Sequence, residues 1–214
     1  NPVTETGDLL LFVDAQGGYR LWIDEQLVLD ASTSQSFDNR YHSLPDKTGE
    51  KKKITLEYYS HNSSPAEIRF GYTYKSKLDF RESLKLAAKA DVVIFCAGLD
   101  GAIELEGRDR PFELPYGQDL LINELLKVNP NLCVVLHAGG GMDMTPWIDR
   151  VPAVIHALYA GQEGGNALAE ILKGTTNPSA KLPFSIEKQW RDSPAYGNYD
   201  ETRAEKKVYY QEGI

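Results

Sequence analysis

Glu104 and Glu106 stand two residues apart in a polar stretch, residues 98–115, that also holds Arg108 and Arg110. A carboxyl group that lends a proton and takes it back needs neighbours that set its pKa. Mixed acidic and basic residues can supply them, although the same composition also suits a solvated, charge-balanced loop. The stretch follows an apolar run, residues 91–97, that reads as a buried parallel strand. It precedes an amphipathic helix beginning near Tyr116. It is therefore a loop at the carboxyl end of a strand, where open α/β sheets place their ligand crevices. Connections of this kind usually take ~2–6 residues, and longer ordered ones tend to be functional.

Other residues with chemical potential have simpler readings. The glycines Gly139, Gly140 and Gly141 follow a strand but open no Gly-x-Gly-x-x-Gly helix, so a nucleotide-binding domain is poorly supported. Gln162 and Glu163 suit a helix amino end, where a carboxylate is favoured by the dipole. His137 and His156 lie in apolar strands and read as satisfied core residues. His42 and His61 lie in loops without metal-ligand spacing, so neither a metal nor another cofactor is expected. Trp22 reads as sandwich core. Trp147 and Trp190 offer faces that suit a pyranose ring, with packing the favoured role for each. Asp109 with Arg110 reads as a pair that pins the loop.

The elements that must position these residues fall into two groups. Residues 8–74 read as all-β, with about five strands: 9–14, 19–24, 27–30, 54–59 and 66–72. A Gly17-Gly18 turn breaks the first from the second, Glu25 and Gln26 turn into the third, and the polar stretch 31–45 reads as loop. From Asp79 the pattern alternates. Helix 79–90 can be capped by Asp79, with Phe80, Leu84, Ala87 and Ala88 at helical spacing. Strand 91–97 follows, then helix 115–128 with Leu120, Leu121, Leu125 and Val128 on one face. Strands 132–137 and 152–159, helix 163–172 ended by Gly174, and a short strand 181–186 complete it. Beyond Trp190 only residues 207–211 look regular. Such alternation predicts an α/β sandwich, a mostly parallel sheet with helices on both faces. The division expected is an incomplete β-sandwich over 1–75 and an α/β domain over 76–214.

Size and charge narrow the function. The 214 residues can bury a core in one or two domains, and the net charge of −8 argues against nucleic acid or an anionic membrane as partner. No apolar run approaches the ~20 residues of a membrane span. No signal-peptide pattern opens the chain, which begins at Asn1 rather than Met. Cys96 and Cys133 lie in apolar runs and read as small buried hydrophobes. Homo-oligomer formation is left open.

Glu106-Gly107-Arg108-Asp109-Arg110, with Leu114-Pro115 following, resembles the acid/base loop of glycoside hydrolase family three, the β-glucosidase and β-xylosidase family. The resemblance continues in order through Asn129-Pro130-Asn131, Pro146-Trp147-Ile148, the run from Tyr159 to Ala167, Asn177-Pro178-Ser179-Ala180-Lys181-Leu182-Pro183, the run from Ser193 to Tyr199, and Val208 to Ile214. It covers roughly the last six-tenths of the chain, from about Ala87. The run from Gly18 to Asp24, with Leu27 to Asp30, resembles the β-sandwich module named after anthrax protective antigen. Some members of the hydrolase family carry it as an insertion.

The resemblance implies a retaining exo-β-glycosidase acting on glucosides or xylosides, with an oligosaccharide or glycoside as substrate. It makes Glu106 the general acid/base, with Glu104 as rival. It places the nucleophile, an aspartate, on a (β/α)-barrel, which no segment here resembles, so the remainder of the same enzyme becomes the expected partner. It leaves the substrate-binding residues unnamed and favours a periplasmic or secreted protein. The sandwich would need about twice the strands seen, which predicts partner strands from outside these residues. It lacks the aspartate pair of calcium-binding relatives, so no calcium is expected. The alternative is a non-catalytic carbohydrate-binding or interaction module on the same two folds.

Overall fold

A computed structural model describes residues 7–34, 37–46, 51–60, 66–101, 103–106 and 110–197. The first part is antiparallel throughout. Strand β1 (Gly7–Gln16) lies between β4 (Phe37–Asp46) and β6 (Glu67–Tyr74), and β2 (Gly18–Ile23) lies between β3 (Gln26–Asp30) and β5 (Ile54–Tyr59). Leu11, Val13 and Ala15 of β1 meet Tyr19, Leu21 and Ile23 of β2 in one buried cluster. The two-residue repeat of a strand turns these side chains to one side. Trp22, expected in this core, is half-buried instead, because Leu21 and Ile23 take the inward positions on either side of it.

The glycine break after β1 is a corner between sheets rather than a hairpin, since β1 and β2 share no ladder. A Cβ on Gly18 would stand 2.5 Å from the Ser32 carbonyl oxygen, so the corner has no room for a side chain. The turn into β3 falls on Asp24 and Glu25, both at positive φ.

Strand β4 replaces part of the expected loop 31–45, making six strands among the described residues. Its polar residues disguised it. Asp38 is only 2% exposed, yet it accepts hydrogen bonds from the Tyr19 hydroxyl at 2.7 Å and from two nitrogens of Arg40 at 3.0 Å. A buried carboxylate with such partners is tolerated where an unpaired one is not.

The second part holds a parallel sheet in the order β7 (Val93–Gly98), β8 (Leu132–His137), β9 (Ala153–His156). Helices α1 (Arg81–Ala87) and α2 (Gln118–Val128) pack on it through Leu84, Ala87, Ile122 and Leu125, against Phe95, Ala97, Val134 and Leu136. On α2, Ile122 is fully buried while Val128 is exposed. The end of α2 is tied to the end of α1 by Asn129, whose amide donates to the carbonyls of Ala87 at 2.9 Å and Ala90 at 2.7 Å. That side chain satisfies helix-terminal carbonyls that would otherwise lack a donor.

Helix α3 (Gly164–Leu172) has no fully buried residue. Strand β7 also departs from the buried run expected: Ile94 is 48% exposed, and Cys96 is exposed rather than buried. Residues 181–186 join no ladder among the described residues, so the sheet described has three strands. Pro183 lacks the N–H that a ladder requires. Residues 207–211 lie outside the described residues. No described helix is long and apolar enough to cross a membrane.

Candidate active site

The long loop is closed at its base by one side chain. Gln118 opens α2 and grips the last residue of β7: its amide donates to the Gly98 carbonyl at 2.9 Å and its oxygen accepts the Gly98 N–H at 2.8 Å. Gly98 is at φ +140, and a Cβ there would fall 2.0 Å from the His137 carbonyl oxygen. Only glycine permits that approach of β7 to β8.

Glu104 is the hub of the loop. One carboxylate oxygen accepts from Arg110 Nε at 2.7 Å, and the other accepts from the Gly139 N–H at 2.9 Å and from the Tyr159 hydroxyl. Burial on its own would raise this carboxyl. The bonds from Tyr159, Gly139 and Arg110 outweigh it and hold the group below the ordinary carboxylate range. Arg110 in turn donates to the carbonyls of Pro111 at 3.1 Å and Gly141 at 2.9 Å. Glu104 thus joins the loops that follow β7, β8 and β9. The glycine run after β8 is what leaves it space, since a Cβ on Gly139 would meet the Glu104 carboxylate at 3.3 Å. Arg110 therefore pins the loop by pairing with Glu104. Arg108 and Asp109 lie outside the described residues.

Glu106 is exposed, and no side-chain partner holds it among the described residues. The two glutamates singled out by spacing are thus placed in different circumstances. Glu104 has three donors committed to it. Glu106 has none among the described residues.

The sandwich reaches this loop through β4. Asn39 accepts the backbone N–H of Tyr116 at 3.1 Å, and the Tyr41 hydroxyl donates to Asp119 of α2 at 2.6 Å. Burial pushes the Asp119 carboxyl above its usual range, against the bonds from Tyr41 and the Leu120 N–H. Tyr116 itself is at φ +59. Among the described residues four non-glycines have positive φ. Asp24 and Glu25 make the β2–β3 turn. The others, Tyr116 and Leu158, lie after β7 and β9, and Leu158 directly precedes Tyr159. A bulky residue in the left-handed region costs on the order of 1 kcal/mol and gathers at functional sites.

The remaining candidates separate from the loop. Trp147 is buried and serves packing. Trp190 is exposed, edge-on to Tyr196. His156 contacts the Gly140 carbonyl at 3.2 Å through Nε2, but its buried Nδ1 has no partner among the described residues. Glu163 takes the cap position of α3, yet its carboxylate accepts the Asn166 side-chain amide at 2.6 Å and not a backbone N–H. Asp79 accepts the Arg81 N–H at 3.2 Å, with Phe80 at the cap position of α1. Among the described residues no three His, Cys, Asp or Glu side chains gather as a metal site.

A parallel sheet whose three strand-end loops converge on one fixed carboxylate, Glu104, defines an α/β domain. The chain matches the Glycosyl hydrolase family 3 C-terminal domain over residues 19–214, and it belongs to that family. It is 31% identical to probable beta-glucosidase J of Emericella nidulans over 99% of this chain and 27% of that protein. It is 34% identical to probable beta-glucosidase J of Aspergillus fumigatus over 91% of this chain and 25% of the relative. The beta-glucosidase of Kluyveromyces marxianus, solved in complex with glucose, superposes with a TM-score of 0.59 at 28% identity, over 99% of this chain and 27% of that one. The chain thus spans about a quarter of the length of these relatives.

Proposed function

We propose that this chain supplies the general acid/base, Glu106, to a retaining exo-β-glycosidase of the β-glucosidase kind. The nucleophile aspartate would come from a barrel outside these residues. The division into a sandwich over 1–75 and an α/β domain over 76–214 belongs to the same reading. The observation that carries it is the contrast between the two glutamates. A group that must protonate a leaving oxygen and then activate water needs an accessible carboxyl without fixed donors. Glu104 is held ionised by three donors, whereas Glu106 stands exposed. The β-glucosidase names of the relatives supply the sugar, a terminal β-linked glucose.

The test is Glu106→Gln in the complete protein. Activity on a glucoside with a poor leaving group should fall by roughly 10²–10⁴-fold, the usual share of general acid–base catalysis. An activated aryl glucoside should lose far less, because its leaving group needs no proton, and azide should restore turnover by replacing the activated water. Glu104→Gln should lose activity without azide rescue. The reverse assignment, with rescue at Glu104 alone, would show that the wrong glutamate has been chosen.

A further inference from the structure

We propose that Asn39 and Tyr41 of the sandwich are positioning residues for Glu106, strand β4 bracing the far limb of its loop and the start of α2. The inference rests on the glycosidase reading above and extends it to two side chains from the other part of the chain. The brace follows from the parity of β4. Asn39 and Tyr41 are two residues apart and lie opposite Asp14 and Phe12 of β1, so they share the face turned away from the sandwich core. Asp38 and Arg40 take the inward face, where Asp38 accepts the Tyr19 hydroxyl at 2.7 Å and Arg40 at 3.0 Å. The strand is thus locked to β2 on one side and grips α2 on the other.

The grip is specific. The Tyr41 ring lies 5.9 Å from that of Phe12, and its hydroxyl donates to Asp119 at 2.6 Å. A bond to a carboxylate is stronger than one between neutral groups. The other Asp119 oxygen accepts the Leu120 N–H at 2.9 Å, so the hold bears on the first turn of α2. Both limbs of the loop end on this turn. Gln118, beside Asp119, holds Gly98 at the start of the loop. On the far limb the Phe112 carbonyl accepts the Asp143 N–H at 2.8 Å, and Asn39 accepts the Tyr116 N–H at 3.1 Å. Tyr116 at φ +59 and Gly117 at φ +67 make a left-handed turn, unfavourable for tyrosine, which that bond helps to hold. Pro111, Leu114 and Pro115 are buried, and proline fixes φ, so a shift at Tyr116 passes back toward Arg110 instead of being absorbed. Arg110 is bonded to Glu104 at 2.7 Å, and Glu106 lies in the chain between these two.

The experiment uses the complete protein and compares kcat/KM on methyl β-glucoside, whose leaving group needs a proton, with that on dinitrophenyl β-glucoside, whose leaving group does not. Tyr41→Phe keeps the ring on Phe12 and loses only the hydroxyl. It should lower kcat/KM on the methyl glucoside by roughly five- to tenfold, a fraction of the full acid–base share, and leave the dinitrophenyl glucoside within about twofold of the parent. Asn39→Ala should shift the ratio of the two in the same direction, with faster hydrogen exchange at the Tyr116 amide. In a Glu106→Gln background neither substitution should change the ratio further, because the proton donor whose position they set is gone. Loss of folded protein lowers both substrates together, so a purely structural role does not move the ratio. An unchanged ratio in both variants, or an equal further shift in the Glu106→Gln background, overturns the brace while Glu106→Gln keeps its own preference for the activated substrate. A Glu106→Gln protein that treats the two substrates alike overturns the acid/base assignment and the brace with it.

Discussion

Glu104 shows how one carboxylate is fixed by its neighbours. Its folded pKa is depressed, so the stability it contributes is present above its ordinary value of 4.5 and is lost as pH falls through the folded value. Thermal unfolding of the parent and of Glu104→Gln should therefore differ most at neutral pH, by roughly 1–3 kcal/mol, and converge in acid, where the parent carboxyl is itself protonated. A constant difference across that range would mean that the ion pair with Arg110 contributes nothing. Gly139→Ala tests the same hub from the other side. Its Cβ would stand 3.3 Å from the Glu104 carboxylate, so Glu104 must shift from Arg110 and Tyr159. Activity should drop several-fold with only a modest change in melting temperature, because the strain falls on an exposed loop rather than on the core. An unchanged rate would show that this loop does not position Glu106.

At the scale of elements, the loop is a lasso whose base is tied by Gln118. Removing that side chain in Gln118→Ala leaves both Gly98 backbone groups without their partners. The cost should be about 1–3 kcal/mol, with faster hydrogen exchange at the Gly98 amide as the direct readout. Unaltered exchange would mean that the β7–β8 ladder alone holds the strand end. Gln118, Asn39 and Tyr159 were not legible in the sequence. Their roles depend on which loops converge at the strand ends, and no local periodicity encodes that. The parallel strands were legible as short apolar runs, although among the described residues only β8 is mostly buried. Strand β4 was hidden because its inward residue, Asp38, is charged and made tolerable by Tyr19 of β2 and by Arg40 two residues along the same strand. Trp22 misled for the opposite reason. Its size suggested core, but its parity in β2 turns it outward. Glu104 and Glu106 were visible together; the family resemblance put Glu106 first, and in the fold the donors around Glu104 set the two apart.

At the scale of the whole molecule, the described residues leave apolar side chains uncovered in more than one element. Ile94 and Cys96 of β7 are exposed, Leu86 of α1 is 70% exposed, and α3 keeps no side chain fully buried. Exposed apolar surface of this kind marks an interface or a tendency to aggregate. The chain spans about a quarter of its relatives, and a retaining mechanism requires a second carboxyl ~5–5.5 Å from the first. Both considerations lead to one prediction for residues 1–214 expressed alone. The product should associate in a concentration-dependent manner, as seen by light scattering, and should fail to hydrolyse an aryl β-glucoside even when the leaving group is activated. On the proposed division, an activated leaving group removes the need for Glu106 as acid in the first step but not for the nucleophile, so activity on that substrate reports on the nucleophile. Ile94→Lys should reduce the association by placing a charge on the open face, and it should leave hydrolysis absent. A monodisperse monomer that turns over the activated glucoside would place the nucleophile within these residues and end the proposal of a divided site.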